Sequence, residues 1–124
     1  MPKSVAPFSI ENWEPHAVDE AGDLALGRVS FRKTCKGDDL TGTAVATMLN
    51  CGQVAYVAME RITGTLGGRS GSFVLTHGAN AGAGGATGEV VPGTGTGELA
   101  GLTGTMEIQH DEGGAPVLTL NWSL

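Results

Sequence analysis

The segment "QVAYVAMERITGT" at residues 53–65 places a carboxylate among apolar side chains. Period-two alternation puts Val54, Tyr56, Ala58, Glu60 and Ile62 on one face, with Val57, Met59, Arg61 and Thr63 on the other. One of the adjacent charges must then face the interior, and Glu60 has the more apolar companions. If it is buried, desolvation raises its pKa and makes it a candidate acid or base. The plainer reading pairs it with a cation or leaves it at a wet rim. His77 ends "SFVLTH" on the face of Phe73 and Leu75, and His110 follows Met106 and Ile108 in the same way. At a rim, a histidine can donate, accept or titrate near neutrality, whereas a solvated strand end leaves it inert. Glu60 and His77 are therefore the candidate catalytic residues. Tyr56, Phe73, Met106, His110 and Trp122 are candidate ligand-binding residues, with Tyr56 and Trp122 as wall first.

Other chemistries find less support. Ser70 and Ser72 in "GGRSGS" have no neighbouring base and read as turn residues. His16, His77 and His110 lack ligand spacing, so no metal site is expected, and no cofactor motif is present. "GTGTGELAG" at 93–101 matches the dinucleotide fingerprint loosely, but a strand pattern follows it where a helix is required. Cys35 and Cys51 stand alone, as expected of two reduced thiols.

The elements that must position these groups are strands. Gly or Pro interrupts almost every stretch of a dozen residues, and Val/Thr-rich segments recur between them. Eight strands are predicted, near 6–14, 24–34, 40–49, 53–66, 71–78, 88–93, 102–110 and 115–124. The links "DEAGD", "KGDD", "NCGQ", "GGRSG" and "DEGGAP" carry turn chemistry, and short links imply antiparallel, up-and-down neighbours. With no helix to cover a sheet, the strands close on themselves or form two packed sheets. "LTGT" at 40–43 returns as "ITGT" at 62–65 and "LTGT" at 102–105. Gly42, Gly64 and Gly104 are expected within strands or at bulges, as devices that let a barrel coil. "GANAGAGGATG" at 78–88 is expected to be a mobile loop over one barrel mouth.

The 124 residues suit a single domain spanning 1–124, and Lys plus Arg total 7 against 13 Asp plus Glu, a net charge of −6. That field repels phosphate backbones, so no nucleic-acid partner is expected. The cations between Arg28 and Lys36 are expected to be the solvated face and end of one strand. Residues 1–15 contain polar breaks where a signal peptide would need an apolar core, and no run reaches membrane-spanning length. A cytoplasmic protein without membrane association is the expectation.

"GDDLTG" at 37–42, "YVAMERITGTLGGRSGSFVLTH" at 56–77 and "VVPGTGTGELAGLTGT" at 90–105 resemble a small, uncharacterised bacterial family, a domain of unknown function grouped with the allene oxide cyclase-like barrels. The resemblance runs from about residue 24 to the end. It implies an all-β, single eight-stranded antiparallel up-and-down barrel with an internal cavity, often in a homo-oligomer. Allene oxide cyclase uses a cavity carboxylate and no cofactor, but no cyclase motif aligns here, and Glu60 is nominated by its position alone. Trp122 on the closing strand could narrow such a cavity. The expected partner is a small apolar or amphipathic ligand. The alternatives are a cofactor-free isomerase or cyclase of an unsaturated or epoxide-bearing substrate, and an interaction protein whose barrel is filled by its own side chains.

Overall fold

The computed structural model describes residues 2–20, 22, 24–80 and 85–124. Eight strands form one closed antiparallel barrel in chain order: β1 (Lys3–Asp19), β2 (Leu26–Lys36), β3 (Leu40–Cys51), β4 (Ala55–Leu66), β5 (Arg69–Asn80), β6 (Ala86–Val90), β7 (Thr103–His110) and β8 (Pro116–Ser123). Closure is completed by β8 pairing back onto β1, so no sheet edge is left open between them. The tightest hairpin is made by Gly67 and Gly68, both at positive φ (58° and 79°), the pair of conformations that matches the twist of β4 and β5. No described helix is long and apolar enough to cross a membrane.

Alternation decides what fills the barrel. Even-numbered residues of β3, β4, β6, β7 and β8 and odd-numbered residues of β2 and β5 point inward. At one end these are large and apolar: Leu40, Ile62, Leu66, Phe73, Met106 and Leu120 are fully buried, with Leu99 and Leu102 closing over them. That half of the interior is filled by side chains, which leaves room for the expected internal cavity only toward the other end. The other end, ringed by Asn50, Tyr56 and Ala79, stays open as a mouth.

The repeated glycines lie in strands, at the packed end. Gly42 pairs with Gly64 across β3 and β4, and Gly64 with Gly71 across β4 and β5. A Cβ on Gly64 would run into the Thr41 carbonyl oxygen and come within 2.6 Å of the Gly42 Cα. Three strands thus coil past one another at a spacing that a side chain would prevent. Gly104 plays the same part beside Asn121 and Trp122.

Several boundaries differ from expectation. β1 runs past both Pro7 and Pro15, because a bulge between Glu11 and Glu14, with Asn12 at φ 54°, absorbs the irregularity. The bulge also shifts the strand's phase. Phe8 is buried on one side of it, and Trp13 on the other lies against the inward-facing Phe31, ring centroids 5.3 Å apart. Of the segment 78–88, residues 78–80 belong to β5, Gly85 to a bend and 86–88 to β6; the rest of the expected loop, 81–84, lies outside the described residues. "GTGTGELAG" contains a single 3-10 turn at Gly97–Leu99 and is sewn onto the lower half of β5, where Thr94 and Thr96 accept the Val74 and Ser72 amides. The Ser70 amide is likewise held by Glu98, so Ser70 and Ser72 belong to architecture.

Candidate functional site

A chain of charged and polar side chains crosses the interior between the packed half and the mouth. Glu60 projects inward from the middle of β4 and is 2% exposed, as alternation predicts. Its Oε2 accepts from Lys33 Nζ at 2.8 Å and lies 2.6 Å from His77 Nε2. His77 Nδ1 in turn faces the Tyr56 hydroxyl at 2.9 Å, and the two rings meet edge to face. The cation expected on a solvated face is therefore inside: Arg28, Arg32 and Lys36 are exposed, but Lys33 is 4% exposed. The physical reason is the alternation Val29, Phe31, Lys33, Cys35, which places the lysine on the inward face of β2.

Small residues make this reach possible. Lys33 and Glu60 stand on strands separated by β3, so their side chains must bridge two strand spacings, roughly 10 Å. Between them on β3 lie Ala44 and Ala46, opposite Lys33 and Glu60 respectively. Gly88 opposite His77 does the same on β6, where a Cβ would come within 2.7 Å of the histidine's own Cβ. The Lys33 ammonium also sits 4.3 Å from the centroid of the Phe8 ring, a cation over an aromatic face in place of water.

The electrostatics follow from these contacts. Burial alone would push the Glu60 carboxyl up, as expected from sequence; the His77 hydrogen bond and the Lys33 charge overcome it and hold the group below its ordinary 4.5. Glu60 is thus an anion at neutrality rather than a proton-bearing acid. With the carboxylate ionised, His77 Nε2 carries the hydrogen of the short contact. Its Nδ1 accepts from the phenol in the neutral ring and donates to it in the imidazolium. Burial, then the Glu60 charge, push Tyr56 up to about 12, so it keeps its proton. The same two causes raise the Cys35 thiol to about 11, which makes it unreactive.

Two buried acceptors have no partner among the described residues: Glu60 Oε1 and Asn50 Oδ1. Both belong to inward-facing residues; Asn50 pairs with Tyr56 on β4, and its oxygen lies against Gly27 of β2. The mouth encloses about 510 Å3, bounded by Trp13, Met48, Asn50, Tyr56 and Ala79 with the 52–54 turn. Met48 and Tyr56 border it, and Tyr56 connects it through His77 to Glu60, which lies outside its lining. A larger concavity of about 900 Å3 lies outside the barrel, across β3 to β7.

Of the residues singled out from sequence, Tyr56, Glu60 and His77 come together. Phe73 and Met106 are in the packed half, away from the mouth. Trp122 is at the far end, its Nε1 donating to Ser4 Oγ at 2.9 Å, and Ser4 donating onward to Asp39 at 2.7 Å. His110 is exposed at the end of β7. Sequence reasoning missed Lys33, Trp13 and Asn50. Alternation along β2 could have found the first; the phase shift at Asn12 conceals the second. No group of three or more His, Cys, Asp or Glu among the described residues could hold a metal ion.

The family described as "Protein of unknown function (DUF3224)" matches residues 5–122. The crystal structure of a protein of unknown function from the DUF3224 family of Shewanella oneidensis MR-1 is similar over 100% of this chain and 97% of that one, at 33% identity and a TM-score of 0.87. No curated protein matches.

Proposed function

The chain belongs to the DUF3224 family, and we propose that it is a binding module for a small amphipathic molecule in the open half of the barrel. The ligand's apolar body lies against Trp13, Met48 and Tyr56, and a hydrogen-bond-donating head reaches Glu60 Oε1. The observation that carries this reading is the unpartnered Glu60 oxygen, buried in a charged site that hydrogen bonds link through His77 to Tyr56 at the mouth. A buried acceptor left empty costs on the order of 1–3 kcal/mol, and more when charged, so its retention calls for a partner. A buried ion pair is itself no better for stability than apolar packing of the same volume.

The probe is 1-decanol against decyl methyl ether, read by the fluorescence of Trp13 in a Trp122→Phe background. The alcohol should bind about tenfold or more tightly than the ether, since a hydrogen bond to a charged group contributes roughly 1.5–3 kcal/mol. Glu60→Gln should erode that preference. Equal affinity for alcohol and ether, or no binding at all, would sink the proposal.

A second reading is favoured by the unbroken hydrogen-bond chain from Tyr56 at the cavity floor to Glu60. In a cofactor-free isomerase or cyclase, Tyr56 would meet the substrate and donate to its developing oxyanion, with His77 and Glu60 orienting the phenol. An isomerisation balances without a redox partner, because a proton delivered to the substrate returns to the same chain. Rearrangement of an epoxide-bearing unsaturated fatty acid, abolished by Tyr56→Phe while decanol binding survives, would select this reading.

A further inference from the structure

Given a ligand seated in the mouth as proposed above, we infer that His77 sets the sense of the Tyr56 hydroxyl and so decides which head group the site takes. Neutral His77 leaves the mouth a hydrogen-bond acceptor, which selects a donor such as an alcohol; protonated His77 turns the same hydroxyl into a donor and admits a carbonyl. The starting point is the order of atoms along the buried chain. Lys33 Nζ and His77 Nε2 both lie on Glu60 Oε2, at 2.8 and 2.6 Å, and His77 Nδ1 lies 2.9 Å from the Tyr56 hydroxyl. Glu60 is the buried end of this chain, and Tyr56, half-buried on the lining of the mouth, is the end a ligand can meet.

Part of the chain is fixed and part is reversible. An ionised carboxylate only accepts, so the Nε2–H directed at Glu60 is common to both states of the ring. A phenol both donates and accepts, and Nδ1 accepts when bare and donates when protonated. With His77 neutral, the Tyr56 O–H is spent on Nδ1, and only lone pairs of its oxygen are left for a ligand. When Nδ1 takes up a proton from solvent, it donates to that oxygen, and the hydroxyl hydrogen is released to a ligand in the mouth. No heavy atom has to move, no bond within the phenol breaks, and both ring nitrogens keep their partners in either state. A carbonyl head, which only accepts, meets lone pairs in the first state and an O–H in the second. An alcohol serves both by turning its own hydroxyl.

The surroundings leave His77 as the member that changes. From β4 it faces Glu60, which the His77 hydrogen bond and the Lys33 charge hold below its ordinary 4.5 against desolvation, and Tyr56, pushed up to about 12 by burial and the Glu60 charge. From β2 come Lys33, on the same Glu60 oxygen, and Cys35, whose thiol is raised to about 11 by burial and the Glu60 charge. β6 sets Gly88 directly opposite, and the neighbouring Glu89 is exposed on the outside of the barrel. β3 and β7 turn Ala46, Met48 and Met106 inward, none of which titrates. Glu60 therefore stays an anion, and Tyr56 and Cys35 keep their protons, across the range in which a histidine changes charge. His16 and His110, the other two histidines, are exposed and stand outside the chain.

The test compares 2-undecanone with 1-decanol at about pH 8 and about pH 5, read by Trp13 fluorescence in the Trp122→Phe background, alongside the imidazole nitrogen NMR spectrum of the ligand-free protein. The ketone should bind about fivefold or more tightly at the lower pH, the worth of one neutral hydrogen bond, while the alcohol changes by less than about twofold. The spectrum should show the His77 Nε2 protonated throughout and Nδ1 gaining its proton over the same range. His77→Gln and Tyr56→Phe should each abolish the pH dependence of the ketone, and His16→Gln/His110→Gln should preserve it; if His77→Gln does not fold, Tyr56→Phe, which keeps the ring, decides. Ketone affinity that ignores pH while decanol binds would overturn the inference and leave the ligand site standing. So would a pH dependence that survives Tyr56→Phe, or an Nδ1 whose protonation never changes. Loss of binding by both molecules would bring down the ligand site and this inference with it.

Discussion

Replacing Lys33 with methionine removes one charge from the barrel and leaves most of the side-chain volume in place over Phe8. Lys33 and Glu60 side chains are 4% and 1% exposed, so solvent screens their 2.8 Å contact little. Breaking a pair buried to this degree costs about 3–5 kcal/mol, largely the penalty of an uncompensated charge. Set against a total stability of roughly 5–15 kcal/mol, Lys33→Met should fold but unfold early. At a urea dependence near 2 kcal/mol per molar, the midpoint should fall by roughly 2 M. The pH profile supplies a second reading of the same contact. Glu60 is held below its ordinary 4.5, so its stabilising contribution is complete above that value and lost as pH falls through the depressed one, where the unfolded chain binds the extra proton. Lys33→Met removes one of the causes that hold it down and keeps the desolvation, which brings the folded value back toward the unfolded one, so the variant should lose less stability to acid below 4.5 than the parent does. The variant Lys33→Met/Glu60→Leu/His77→Leu should regain the lost stability, because apolar packing commonly equals or exceeds a buried ionic network. A cost below about 1 kcal/mol with an unmoved acid limb would show that the lysine is not paired inside. A triple variant less stable than the single one would refute the claim that the network exists for binding.

Two further outcomes are expected. Tyr56 is the sole tyrosine, so tyrosinate absorbance of the folded protein should report an ionisation near 12 in place of 10.0; stability tied to its neutral form is intact below 10 and falls as pH rises toward 12, a loss that Tyr56→Phe should remove. A value near 10 would place the hydroxyl in water and break the chain to His77. Gly64→Val should lower stability by several kcal/mol in urea melts, on the order of the larger single-mutation effects, because its side chain would collide with the Thr41 carbonyl across the ladder. Decanol affinity measured on the folded fraction should be unchanged; a binding loss at full stability would contradict the architectural role of the repeat.

The inward direction of Glu60 was legible in the sequence because β4 keeps strict alternation over its whole length, and the eight-strand order was legible because polar and glycine-rich links separate nearly every pair. Lys33 was hidden by its neighbours: Arg28, Arg32 and Lys36 invite a reading as one charge run, whereas the same residues taken in steps of two separate a solvated face from a buried lysine. Trp13 was hidden by a backbone event. Its strand changes phase at Asn12, and no counting from Phe8 carries across a bulge. Phe73, Met106 and Trp122 were correctly placed on inward faces, but position along the barrel axis decides between wall and core, and that depends on register with distant strands.

Axial position also explains why one barrel contains two kinds of interior. An eight-stranded barrel is close to the size that its own side chains fill, so a site can exist only where residues are smaller than the barrel requires. At the packed end Leu40, Ile62, Leu66 and Leu120 meet that requirement, and the backbones of Gly42, Gly64 and Gly71 draw close enough to tighten the ring. Toward the mouth the inward residues of β3 and β4 become Ala44, Ala46 and Ala58, and Gly88 replaces a side chain on β6. Into the room so left, the fold admits not larger hydrophobes but Lys33, Glu60 and His77, with one carboxylate oxygen unclaimed. Small residues and buried charges are each destabilising in a core, and here they occur together on facing strands. A core selected only for stability would have removed both with Leu or Met at Ala46 and Glu60. Their coincidence next to an open mouth is the strongest physical argument that this half of the barrel is kept for a ligand.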